Sequence, residues 1–149
     1  MRVHLVNELV EVVFVALAEV DEGLDCLVRV GGDILLAAFV DDLLLRATSD
    51  PQIGVYWKGT SRNSLRRARQ FALDFLCASM GGPAIYLGRD MKTLHQGMGI
   101  SDADWEVLMR HSRKTLDDLG IAVPERKEVA SFLEGLKADI VEARGVQAG

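Results

Sequence analysis

Met80-Gly81-Gly82-Pro83-Ala84-Ile85-Tyr86-Leu87-Gly88-Arg89-Asp90-Met91-Lys92-Thr93-Leu94-His95-Gln96-Gly97-Met98-Gly99-Ile100 is the stretch whose reading decides the fold. A glycine pair followed by proline is a helix stop, because glycine takes the left-handed backbone past a helix end and proline cannot continue the ladder. Residues 84–90 read as a loop, and Asp90 to about Gln96 as one short helix ended by Gly97 and Gly99. That short helix ends on His95, with Met91 and Leu94 before it and Met98 after it. Glycines beside an imidazole leave room for a bulky planar group, and flexible thioethers suit an irregular apolar surface.

The pattern stays helical on both sides of this stretch. Ser61 or Ser64 is placed to cap a helix running to Met80, with Leu65, Ala68, Ala72, Leu76 and Ser79 in one stripe and Phe71 and Phe75 beside it. Ser101 starts a helix to Leu119, with Asp104 at the capping-box position; Gly120 ends it, and Pro124 opens a last helix to about Ala143. Upstream, a helix from about Asp33 to Thr48 follows Gly31-Gly32 and stops at Asp50-Pro51. In the turn-rich residues 51–60, Val55, Tyr56 and Trp57 are expected to be buried together. Leu5, Leu9, Val12, Val13, Ala16, Leu17 and Val20 share one face of a first helix, widened by Val10, Phe14 and Val15. So wide a face suggests a helix that buries two sides, one on its own domain and one on a second copy or another protein. Period-two alternation never persists, so the fold class is all-α.

The length of 149 residues and an apolar fraction of 49% fit one domain with a real core. The net charge of −5 argues against a nucleic-acid partner. The charge is uneven. Residues 1–50 carry ten acidic and three basic side chains, and the basic excess is densest at Lys58, Arg62, Arg66, Arg67 and Arg69. That stretch is either an anion site or a solvated helix face. Cys26 and Cys77 have no metal or CxxC spacing and read as buried thiols, which favours a reducing cytoplasm. Glu8, Glu11 and Glu19 interrupt the apolar run 3–20, so neither a signal peptide nor a membrane span is expected there.

Common catalytic signatures are missing: the sequence holds no GxxxxGK[ST] phosphate loop, no HExxH and no GxSxG elbow. Asp41-Asp42 and Asp117-Asp118 are adjacent pairs on different helix faces and so do not form a carboxylate dyad. No catalytic residue is assigned. Of His4, His95 and His111, the flanking residues favour His95 as a ligand.

The Met80–Ile100 stretch resembles the centre of the group I truncated haemoglobins, in which a helix ends in a GGP turn, a Tyr-x-Gly-Arg segment follows, and a Met-x-x-x-His helix carries the haem ligand. The likeness extends through Gly31-Gly32, Val40-Asp41-Asp42-Leu43-Leu44, Asp50-Pro51, Trp105, Leu108, His111 and Ile140-Val141, covering roughly residues 27–141. It implies a 2-over-2 globin domain over 25–149, preceded by a helical extension over 1–24. It implies haem b as cofactor and His95 as proximal iron ligand. The distal helix would turn Leu65, Ala68, Ala72 and Leu76 toward the ring. Met91, Leu94, Met98 and Ile100 would lie near His95, with Trp105 and Leu108 from the next helix. Arg69, Arg89 and Lys92 would meet the haem carboxylates, and Tyr86 would donate a hydrogen bond to them.

The sequence departs from that family on the distal side. The family's oxygen-stabilising tyrosine matches Leu44, its distal glutamine matches Ala72, and the residue one turn earlier is Ala68. Its haem-wedging aromatic matches Trp57, and the segment from Trp57 to Leu65 is about three residues longer than usual. A pocket without a donor implies fast oxygen release and relatively favoured CO or NO. Three other readings stand beside reversible gas binding: NO dioxygenase or peroxidase-like turnover, a sensor that docks through residues 3–20, and a helical bundle without haem.

Overall fold

The computed structural model describes residues 32–142. The helical extension and the partner surface expected within 1–24 lie outside the described residues. Every regular element described is helical: α1 (Gly32–Ser49), a 3-10 helix (Ile53–Trp57), α2 (Arg62–Ser79), α3 (Met91–His95), α4 (Asp102–Asp118), α5 (Val123–Gly135) and α6 (Lys137–Ile140). No helix among the described residues is long and apolar enough to cross a membrane.

Helix α1 packs on α2 and α4, α4 packs on α5, and α3 packs on α6. Leu35, Leu36, Phe39 and Val40 of α1 meet Leu76, Cys77 and Met80 of α2, with Leu116, Ile121 and Val129 closing the main core. These apolar positions recur every three to four residues, so each helix buries one stripe. A second cluster joins Ile100, Trp105 and Met109 to Ile140 and Val141. A third seats Ile53 against Ala47 and Val107.

The helix boundaries follow from local chemistry. Ser61 caps α2, its Oγ accepting the Ser64 N–H at 3.2 Å. The end of α2 is a Schellman turn, with Gly82 N–H donating to the Cys77 carbonyl at 2.8 Å and Gly81 N–H to that of Ala78 at 3.3 Å. Ser101 and Asp104 form the expected capping box. Two expectations change. The last helix breaks at Gly135-Leu136 and the chain turns into the short α6, which lets Ile140 and Val141 reach Trp105 and Met109. In the 3-10 helix Ile53 is the buried residue, while Val55 points out and is 58% exposed.

The adjacent aspartates tie helices to one another. Asp42 accepts from Arg46 Nε at 2.7 Å and from Thr115 Oγ1 of α4 at 2.8 Å, and Arg46 also reaches Asp118 at 2.6 Å. Asp117 pairs with Arg126 of α5 at 2.8 Å.

Asp104 ties the 3-10 helix to α4. It accepts from Gln52 Nε2 at 2.9 Å, Tyr56 OH at 2.6 Å and Ser101 N–H at 3.0 Å. Burial alone pushes its carboxyl up, but the hydrogen bonds from Gln52, Tyr56 and Ser101 outweigh that and bring it down to about 2. Burial and the same Asp104 contact push Tyr56 up to about 12. Because the folded value lies below the ordinary 3.8, this stabilisation is complete above about pH 4 and is lost as pH falls through the folded value. Asp104→Asn is therefore expected to cost roughly 1–2 kcal/mol at pH 7. In urea unfolding the deficit should shrink toward pH 2; an equal deficit at both pH values would show that the charge plays no part.

Candidate functional site

Helix α3 is barely more than one turn long, and its start is fixed by Asp90. The Asp90 carboxylate accepts the Thr93 N–H at 2.9 Å and the Thr93 hydroxyl at 2.7 Å. These bonds, the Thr93 N–H foremost, hold the Asp90 carboxyl below its usual range. One turn on, His95 Nδ1 lies 2.7 Å from the Met91 carbonyl oxygen. A carbonyl only accepts, so Nδ1 is the donor here, and in the neutral imidazole Nε2 is then the nitrogen with the lone pair. A histidine whose second nitrogen is held in this way is oriented as a metal ligand.

No group of three His, Cys, Asp or Glu among the described residues is placed to hold a metal ion. A metal on His95 would therefore need most of its donors from elsewhere, which a tetrapyrrole provides. The surroundings fit an apolar disc. Among the described residues nine large hydrophobic side chains are exposed, and five of them (Phe71, Ile85, Leu87, Leu94 and Met98) fall between 71 and 98. Leu87 is 85% exposed and Ile85 is 76% exposed, values that call for a covering surface rather than water.

The candidate residues divide into three groups. Met91 and Leu108 pack against the cluster of Ile100 and Trp105, and the Met91 carbonyl holds His95. Leu44 and Ala72 pack against the α1–α2 core. Leu65 and Trp57 are half-buried, Trp57 resting on the Ile53 cluster, and Ala68 is exposed. Leu76, Ile100 and Trp105, expected beside the ring, are buried in the core clusters: Leu76 of α2 packs against α1, and Trp105 is 1% exposed with Nε1 donating to Glu134 at 3.4 Å. An apolar stripe specifies burial but not which neighbour provides it.

Two of the expected polar residues have partners within the chain. Arg69, expected at a haem carboxylate, is paired with Asp41 of α1 through both Nε and Nη2. Tyr86, expected to donate to the same carboxylates, donates to the Arg89 carbonyl at 2.6 Å. Its ring packs edge-on against Phe71 and Phe75, with centroids 6.2 and 5.2 Å away. This explains the Tyr-x-Gly-Arg spacing. The Tyr86 side chain folds back over Gly88, where a Cβ would overlap the phenol. Gly88→Ala is expected to displace the ring and cost about 1–3 kcal/mol in thermal or urea unfolding; an unchanged stability would mean that the loop yields freely.

Arg89 and Lys92 are exposed, and neither enters an ion pair among the described residues. The same holds for Lys58, Arg62, Arg66 and Arg67. His111 is committed elsewhere: its Nε2 lies 2.8 Å from Asp50, tying the Asp50-Pro51 turn to α4. That contact, with the Ile53 N–H, lowers the Asp50 carboxyl. The sequence reading missed Ile85 and Leu87, although the apolar run 84–87 ahead of Gly88 signalled a surface in need of cover.

The helical frame and the lone oriented imidazole together define a globin-like arrangement. The family model for bacterial-like globins matches residues 27–142, and the chain belongs to that family. It is 29% identical to a group 1 truncated haemoglobin of Mycolicibacterium paratuberculosis over 75% of this chain and 80% of that protein. It is 25% identical to the group 1 truncated haemoglobin of Tetrahymena thermophila over 74% of this chain and 89% of that protein. The crystal structure of the Tetrahymena pyriformis truncated haemoglobin in its Fe(III) form superposes with a TM-score of 0.72 at 23% identity, covering 78% of this chain and 97% of that one. A group II truncated haemoglobin from Bacillus anthracis superposes with a TM-score of 0.74 at 18% identity, covering 86% and 98%. The backbone is thus similar to both groups, and the sequence likeness assigns the chain to group I.

Proposed function

We propose that this chain holds haem b through His95 and binds a diatomic gas, O2, CO or NO, on the opposite face. The observation that carries the reading is the His95 ring, whose Nδ1 is bound to the Met91 carbonyl and leaves Nε2 available to a metal, on a short helix flanked in the chain by the exposed Leu94 and Met98. The truncated haemoglobins among its relatives support the same reading. Bound there, haem supplies an iron with a coordination position for a small gas. Met91, Leu94, Met98 and Leu108 would cover the porphyrin on the His95 side, while Phe71, Ile85 and Leu87 would shed water onto its edge. Arg89 and Lys92 are the cations left for its carboxylates, since Arg69 is spent on Asp41. The gas would sit near Leu44, Ala68 and Ala72, none of which offers a hydrogen-bond donor.

Absorption spectra of the full chain mixed with haemin test this. A Soret band that shifts on reduction and again under CO is expected. A spectrum equal to free haemin, or a ferrous band indifferent to CO, would overturn it.

A further inference from the structure

Helix α3 is too short to hold its own shape, since an isolated turn pays the full cost of nucleation. The chain after it is looser still. Gly97 and Gly99 have φ of +86° and +68°, and a Cβ at either would meet nothing within 4 Å, so neither glycine is fixed by packing around its own α-carbon. What holds it comes from the far end of the chain. Glu142 Oε1 accepts the Gly97 N–H at 2.7 Å, and Oε2 accepts the Gly99 N–H at 2.8 Å. The Glu142 N–H donates to the Ile100 carbonyl at 2.9 Å, and Ile140 and Val141 before it are buried at 7% and 5% exposure. The carboxylate is thus carried by an anchored segment, and one side chain bridges the two amides that flank Met98. The Gly97 and Gly99 N–H groups hold the carboxyl below its usual range against the opposing effect of burial, so it is ionised at neutral pH.

We propose that Glu142 is a positioning residue for His95, clipping the Gly97–Gly99 loop and so fixing the seat of the imidazole from its C-terminal side. Asp90 holds the other end of the same helix, so a ring on five residues is gripped at both ends. This rests on His95 being the iron ligand. Groups that orient a metal-bound histidine typically matter 10–100-fold for metal affinity.

The test compares the full-length wild type, E142Q and E142A, each loaded with haem. E142A is expected to release haem to an excess of acceptor apoglobin about tenfold faster than wild type. It is also expected to shift the iron–imidazole stretching band of the ferrous unliganded form in resonance Raman spectra. E142Q keeps the side-chain length and one good acceptor, and should fall between the two. In the unloaded chains, the Gly97 and Gly99 amides should lose hydrogen-exchange protection in E142A. A wild-type chain without an iron–imidazole band overturns the haem reading and this proposal with it. A normal wild-type band, reproduced in both variants with unchanged haem release, overturns the Glu142 proposal alone.

Discussion

Replacing His95 by alanine is expected to turn the ferrous Soret band of the chain mixed with haem into that of free haem while leaving the far-UV helical signal in place. The ring is half-buried, and its only described hydrogen bond is the one to Met91 one turn back. Losing it removes no contact between the main helices. The only other histidine among the described residues, His111, sits on α4 with its Nε2 held by Asp50. No second imidazole within the described fold can therefore take its place. The loss of affinity should exceed the roughly 10–100-fold that removal of a mere supporting group costs. Free imidazole should restore part of the band by entering the space the side chain left. A His95→Ala chain that takes up haem with wild-type affinity and an unaltered band would remove the basis of the proposed function.

What could be read from the chain alone was set by how far apart the interacting groups lie. Ser101 and Asp104, or Asp90 and Thr93, are three residues apart, and a cap at that spacing is visible as a pattern. The GGP stop and the helix carrying His95 are legible for the same reason. The pair of Arg69 with Asp41 spans 28 positions between two helices, so no local spacing announces it. Glu142 was not singled out at all, since nothing near it in sequence announces that it reaches back 43 and 45 residues to two glycine amides. Burial shows the same limit. Periodicity placed Leu76, Ile100 and Trp105 on inward faces correctly, but only the packing shows that they meet other side chains. The break at Gly135 escaped notice because an isolated glycine weakens a helix without ending it. The chain turns there because Ile140 and Val141 have somewhere to go.

Leu44→Tyr is expected to slow oxygen release by about ten- to a hundredfold, and to leave CO release nearly unchanged. A gas that gains negative charge on binding is held by a donor, and the wild-type side chains nearest the expected gas position, Leu44, Ala68 and Ala72, carry none. A hydrogen bond to a partly charged acceptor is worth about 1.5–3 kcal/mol, and each 1.4 kcal/mol is a factor of ten. CO gains little charge, so it serves as the control that separates a donor from a plug. Leu44 is half-buried against the α1–α2 core, and a larger ring there has to find space. The cost of overpacking is about 1–3 kcal/mol. The alanines at 68 and 72 present only methyl groups on the helix opposite, so the strain should fall at the low end of that range. Stopped-flow release of both gases from wild type and variant decides the matter. If the wild type already releases oxygen as slowly as the tyrosine variant, a donor outside these three residues reaches the gas. If both gases slow together, the tyrosine is acting as a barrier rather than as a bond.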